Sequence, residues 1–510
     1  MIGNKASVAA FGQHADFNSV LGGLLVDIIC SERYNQHMNH FDGGQVMLRG
    51  IRMIIAGCII GLAGCANDAG LMTHAVPVSR PVWQPMDTVW WQRFDDAQLN
   101  QLMDEALHNS PDLAVARARI AQVRSETELT RARIVQPSLS LDGSAVRQEF
   151  SSLGYFPPPI GGSVFNLGQL AASFSWDLDW WGKHAAVYRQ SAGNLAVADA
   201  EADEARLVLG VSIADAYISL QADAASLELL RGMQATRSQL LDIEREQEAS
   251  GLIAGGQALA EQAALASLAR QMDQLDGQIR KDRLQLAALM GAGPERGEKI
   301  RLSGLPALPA LPAHIPADLI GSRPDIRMNR AQIEVVAATA RLAKIDFYPD
   351  VNLSGNVGLQ SIGFDNLLKS GATMFAVGPA IHLPVFNSNS LRAILGARYA
   401  EYDMTVETYN ASVFEAMREV AAASVSQTEL ASEIRDQSRL QQNLATTAQL
   451  ADLRYRHGLE DQKNWLADRL AEQEAEQGGV ELSRRALEAE LAMVRALGGF
   501  PRHQDGQNRP

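Results

Sequence analysis

The sequence predicts a mainly α-helical protein with membrane-spanning β-strands, built from one duplicated unit. Three observations carry that expectation. The chain matches itself at an offset of 207 to 213 residues. Each copy holds a pair of long strands with period-two alternation. Each copy also holds a proline-free segment of about 65 residues, far longer than an ordinary globular helix.

The duplication is read from punctuation. Pro111-Asp112-Leu113 opens an Ala- and Arg-rich helical segment ending at Pro137, and Pro324-Asp325-Ile326 opens a similar one ending at Pro349. Strand-like runs with the same spacing follow, Ser138 to Gly143 and Asp350 to Gly355. Ser250-Gly251-Leu252 then matches His457-Gly458-Leu459, and Ala288-Leu289-Met290-Gly291 matches Ala496-Leu497-Gly498-Gly499. Each copy therefore reads helix, strand, strand, long helix, turn, helix. The expected divisions are 111–293 and 321–499 for the repeats, 294–320 for a Pro-rich linker, 65–110 for an N-terminal equatorial region and 500–510 for a tail.

Leu139, Leu141 and Ala145 alternate with Ser140, Asp142 and Ser144. After Pro157-Pro158-Pro159 and Gly161-Gly162, Leu170, Ala172, Phe174, Trp176 and Leu178 alternate with polar residues. In the second copy Leu353, Val357 and Leu359 precede a loop, and Met374, Ala376 and Ile381 to Phe386 return. A strand with one greasy and one wet face fits a tilted bilayer crossing in length, and it also fits the edge of a soluble sandwich. Trp176, Trp180 and Trp181 fit either a barrel rim or packing below it.

The long helices span Ala185 to Ala249, with weak points only at Gly193, Gly210 and Gly232, and Leu391 to Arg456. Ile213, Tyr217, Leu220, Ala224 and Leu227 form a heptad stripe, echoed by Val413, Met417 and Val420. Gly251 and Gly458 supply the reversals. Four strands cannot close a barrel, and an open edge in lipid leaves backbone groups unpaired, so several chains must contribute; three would give twelve strands and room for a passage.

Ahead of the repeats, Met47 to Met53 is basic, Ile54 to Ala63 is apolar and Leu62-Ala63-Gly64-Cys65 ends the run. A segment this short is a secretory signal, not a membrane span. Residues 47–64 are expected to be removed and 1–46 to be an upstream extension that is not native. Cys65 is preferred to Cys58 because only two apolar residues, Met53 apart, separate Arg52 from Ala56.

The net charge is -14, from 45 basic and 59 acidic residues, which argues against a nucleic-acid partner. All three cysteines, Cys30, Cys58 and Cys65, precede the repeats, so packing must hold the bulk of the fold. Scattered histidines, and no phosphate loop, nucleophile elbow or zinc motif, argue against an enzyme.

Ile315 to Arg327 followed by Phe347-Tyr348-Pro349 resembles the signature of the TolC-like outer-membrane efflux proteins, in their NodT/OprM-type lipoprotein branch. Trp90 to Asp96, Asn109 to Leu113, Leu178 to Gly182, Tyr409-Asn410, Arg418-Glu419-Val420 and Ala496 to Gly499 are similar to that family too. The resemblance implies a homotrimer with a twelve-stranded β-barrel in the outer membrane, continuous with a helical barrel across the periplasm. It implies an exit channel for drugs or toxic compounds, docked through a periplasmic adaptor (membrane fusion) protein to an inner-membrane pump of the RND or another type. No cofactor is implied beyond a covalent lipid on Cys65, an N-acyl and an S-diacylglycerol group.

The tips Ser250, Gly251, Leu252, His457, Gly458 and Leu459 become candidates for adaptor contact. Tyr455, Arg456, Glu460, Asp461 and Asp468 become candidates for a periplasmic gate, although an ordinary solvated helix end fits the same charges. Asn387-Ser388-Asn389-Ser390 departs from the family's Gly-rich turn, and Asp468 comes one place late. The alternatives are the duct of a type I protein secretion system and, in another class, a periplasmic coiled-coil structural or adaptor lipoprotein.

Overall fold

The computed structural model describes Asp68 and residues 70–78, 86–87, 89–254, 256–309, 317–384 and 387–501. Cys65, Cys58, the signal segment and residues 1–46 lie outside the described residues.

Helix α1 (Ala97–Asn109) precedes the first repeat, which runs α2 (Pro111–Val135), β1 (Ser138–Glu149), β2 (Val164–Asp177), α3 (Lys183–Ala249) and α4 (Gln257–Leu289). A short helix α5 (Pro294–Glu298) lies in the segment read as linker. The second repeat runs α6 (Pro324–Ile345), β3 (Asp350–Ile362), β4 (Thr373–His382), α7 (Ser388–Arg456) and α8 (Gln462–Leu497). Helices α3 and α7, of 67 and 69 residues, are each about 100 Å long at the usual rise.

Local chemistry sets the boundaries. Asp96 caps α1, its carboxylate accepting from the amides of Gln98 and Leu99 at 2.8 and 2.9 Å. Pro111 and Pro324 occupy the first turns of α2 and α6, where a missing amide costs nothing. Gly291 and Gly498 end α4 and α8 in the left-handed region, at φ 67° and 76°. They lie 207 residues apart, as do Gly251 and Gly458. The repeat register therefore aligns Gly291 with Gly498, one place from the alignment with Gly499 that residue matching suggests.

The four strands make one antiparallel sheet in the order β1-β2-β3-β4. The last strand stops at His382, short of the expected Phe386, because Pro384 two places on has no amide to donate. Phe500–Pro501 pairs with Met86–Asp87, so the expected tail begins inside a small ladder. No Gly-rich turn follows β4; Asn387 precedes α7 directly at φ -100°.

Helix α3 packs against α2, α4, α6 and α8, and α7 against α6 and α8. The stripe on α3 is buried as expected, with Ile213, Tyr217 and Leu220 fully inside. On α7 the stripe runs Val406, Tyr409, Val413 and Ala416, and Met417 points outward. Spacing of three and of four are both helical, and which neighbour turns inward depends on the packed partner. One window of α3 is apolar enough to cross a membrane, yet 61% of it is buried inside the fold.

Tyr217 shows how the core joins the equatorial region. Its hydroxyl donates to Asp96 Oδ2 at 2.8 Å, coupling α3 to the cap of α1. Burial pushes the phenol up to about 12, so it stays a neutral donor.

Candidate functional site

The sheet carries two unlike faces, and strand pairing assigns each residue to one of them. Leu139 lies opposite Phe174, Gly355 and Val377 across the four strands, and Leu141 opposite Ala172, Val357 and Phe375. On the other face the rows are Ser138, Ser175, Ser354, Gly378 and Ser140, Ser173, Asn356, Ala376. Phe375 is 82% exposed and Leu139 77%, so the greasy face has no cover within one chain. Such a face suits lipid, while the hydroxyl and amide face suits a wet lumen. Strands β1 and β4 also leave one edge each unpaired, which in a bilayer demands further copies of the chain.

Below the sheet a belt of contacts joins strands to helices. Asp179 accepts from the amides of Lys183 and His184 at 2.6 and 3.0 Å, starting α3. Trp181 donates to Pro349 O at 2.8 Å and stacks on Tyr348 at 4.6 Å. It therefore packs in the belt rather than at a rim, whereas Trp180 stays exposed.

The two helix tips have one geometry. Gly251 (φ 72°) and Gly458 (φ 70°) each close the same two-bond motif. At the first tip Leu252 N donates to Gln247 O and Gly251 N to Glu248 O, at 2.9 and 3.0 Å. At the second, Leu459 N donates to Arg454 O and Gly458 N to Tyr455 O, at 2.8 and 2.9 Å. The leucine that follows the glycine usually packs back on its helix in this motif. Here Leu252 is 75% exposed and Leu459 79%. Ser250 caps the first helix and His457 the second.

The charged residues near the second tip divide by role. Asp461 caps α8, accepting from Asn464 N at 2.7 Å. Arg456 pairs with Asp452 at 2.8 Å, one turn back on its own helix, and Arg454 lies 3.9 Å from Glu460. Tyr455 stacks on Trp465 at 5.1 Å with rings 5° from parallel. Asp468 is half-buried on α8, with no ion-pair partner among the described residues.

Sequence reasoning missed the ties between the two hairpins. Lys463 Nζ lies 2.8 Å from Glu244 Oε1, and Arg237 contacts Glu261 at 3.1 Å and Glu474 at 3.6 Å. The Lys463–Glu244 and Arg237–Glu474 contacts join α3 of the first repeat to α8 of the second, a pairing no local spacing announces, while Arg237–Glu261 ties α3 to α4 within the first hairpin.

A sheet with a lipid face and a wet face, open at both edges and carried on two hairpins whose longer helices are about 100 Å, defines a membrane channel assembled from several copies. Comparison gives the family. The model for "Outer membrane efflux protein" matches residues 102–292 and 315–499, and the chain belongs to that family. It is 25% identical over 459 residues to the multidrug resistance outer membrane protein MdtQ of Escherichia coli O6:H1, covering 86% of this chain and 95% of that one. It is 27% identical over 419 residues to MdtP of Escherichia coli strain K12, covering 80% and 86%. Among solved structures, VceC from Vibrio cholerae superimposes with a TM-score of 0.73 at 32% identity, over 82% of this chain and all of that one. The channel OprN superimposes with a TM-score of 0.74 at 26% identity, over 85% and 98%. The chain is an outer-membrane efflux channel, and its fold is a trimeric helical barrel continuous with a twelve-stranded β-barrel. Its family is one of channels, not of enzymes.

Proposed function

We propose that this channel is the passive exit duct of a tripartite pump, passing small toxic compounds or drugs from an inner-membrane RND or similar pump to the exterior. The observation that carries the reading is the pair of matched tips, each offering one exposed leucine behind a left-handed glycine. Leu252 and Leu459, flanked by Ser250 and His457, suit the ends of an adaptor's own helical hairpins, because apolar side chains held out on rigid turns lose little entropy on burial. The relatives named for multidrug resistance favour small molecules over secreted proteins as cargo.

The carboxylates and the aromatic stack near the second tip, Tyr455, Arg456, Glu460, Asp461 and Asp468, serve as the periplasmic gate in this reading, together with the Lys463–Glu244 tie. Opening requires the hairpins to separate, and ion pairs at the narrow end resist that.

Cys65 anchors the mature chain through its lipid. Metabolic labelling with a palmitate analogue tests the anchor: Cys65→Ala is expected to abolish label, and persistent label refutes it. The duct itself is tested by drug susceptibility of a strain lacking its own exit channel. Restored resistance with the wild-type chain, absent with Leu252→Ser/Leu459→Ser, is the expected result; equal resistance in both would remove the tips from adaptor docking.

A further inference from the structure

The wet face of the sheet carries formal charge at three positions, Asp142, Asp177 and Asp350. Two of them are answered. Asp177 and Asp350 lie at the end of the sheet that joins the helices, where Lys183 Nζ is 3.8 and 3.5 Å from them and His184 Nε2 is 3.6 Å from Asp177.

Asp142 is different. It lies well inside β1, where its carboxylate accepts from the Ser140 hydroxyl at 2.9 Å. The residues that share its row across the sheet are Ala171, Gly358 and Met374, none of which can counter a charge. Among the described residues it has no ion-pair partner. Arg147 and Glu149, further along the same strand, alternate with it and belong to the opposite face. The wet face of the four strands holds no Lys or Arg at all.

We propose that Asp142 is a charge-selecting residue of the membrane-spanning lumen, favouring cationic over anionic solutes. In the trimer its copies form a ring of three carboxylates at one level of the passage, between rows of Ser and Asn on one side and of Gln169, Leu167 and Ile362 on the other. Uncountered charge on the wall of a narrow polar passage raises the local concentration of the opposite sign and lowers that of its own. A row of Ala, Gly and Met leaves that field unscreened by protein groups. The cargo this suits is the class of cationic small molecules, whose positive centre gains from the ring.

The inference rests on the channel reading, and one measurement separates the two. Purified trimers are placed in planar bilayers under a KCl gradient, and the reversal potential gives the ratio of potassium to chloride permeability. The wild type is expected to prefer potassium. Asp142→Asn is expected to lower the ratio about threefold, and Asp142→Lys to lower it further. The difference should shrink as salt is raised and the Debye length falls below the lumen radius. Heat-resistant trimers and discrete single-channel openings of uniform size show that the variants have assembled. Trimers that conduct, with the same permeability ratio in Asp142→Lys as in the wild type, overturn the role of Asp142. Failure of the wild type to conduct after its tips are loosened would instead count against the channel reading.

Discussion

Lys463 of α8 holds Glu244 of α3 at 2.8 Å, joining the second repeat to the first close to the helix tips. Glu244 is buried and Lys463 only partly exposed, so the pair is less screened than a surface contact. Its removal is expected to weaken the closed tip by about 1 kcal/mol, and Lys463→Ala/Arg237→Ala to weaken it further. Cells expressing the double variant should admit a large antibiotic that intact outer membranes exclude, and single-channel recordings should show more frequent opening. Unaltered recordings would mean that the tie holds the protomer together without restraining the gate.

A second expectation concerns Asp461 and Asp468. Asp461 is a helix cap, so Asp461→Ala should cost about 1 kcal/mol of local stability, while Asp461→Asn keeps the cap and removes only charge. If the gate depends on charge, Asp461→Asn/Asp468→Asn changes ion conductance in bilayers with the melting temperature unmoved. A lowered melting temperature with the same conductance would assign these residues to folding alone.

The parts of this architecture that are legible in the sequence are those written in local terms. Pro111 and Pro324 start helices, Gly251 and Gly458 reverse them, and period-two alternation marks β1 and β2. What is not legible depends on a partner. Ala416 rather than Met417 turns inward on an α7 that packs against α6 and α8, and either residue satisfies helical spacing. The lone standing of Asp142 emerges only from pairing, since Lys183, which answers Asp177 and Asp350, is not near it in register.

Asp223 of α3 gives the molecule a pH dependence. Burial, and then the neighbouring Asp282 carboxylate, raise its pKa to about 6. Asp282 is itself raised by burial, and Asp215 and Glu488 nearby are raised as well. Arg484 opposes them, bonded to Glu481 and Glu488 on its own helix. A carboxylate with a raised folded pKa binds more protons folded than unfolded. Stability is therefore gained as pH falls from about 6 toward 4, and a constant penalty remains above that window. Asp223→Asn should melt higher than wild type at pH 7.5, on the order of 1 kcal/mol after allowing for solvent screening. The two should converge near pH 4.5. Parallel melting curves across the whole range would show that Asp223 titrates normally.

Arg323 is the contact on which the second repeat closes. Its guanidinium binds both oxygens of Asp325 at 3.0 and 2.7 Å, Glu419 at 2.7 Å and the carbonyl of Ala496 at 2.8 Å. One side chain thus joins the start of α6, the middle of α7 and the last turn of α8. Gly498 makes room for it: a Cβ there would stand 2.8 Å from Arg323 Cα, and the backbone is left-handed besides. The first repeat has Ser110 in the corresponding place before its proline, so the two copies close by different means. Only 9% of the Arg323 side chain is exposed, and its removal strands Asp325 and Glu419 beside a buried carbonyl. Arg323→Ala is expected to cost about 3 kcal/mol, near the lower end for a broken buried pair because both acids keep partial access to water. Arg323→Lys should recover little, since an ammonium cannot reproduce the fork that meets Asp325. Thermal melts of the detergent-solubilised trimer check this, and a lysine variant that melts with the wild type would show that charge, not the bidentate geometry, joins the three helices.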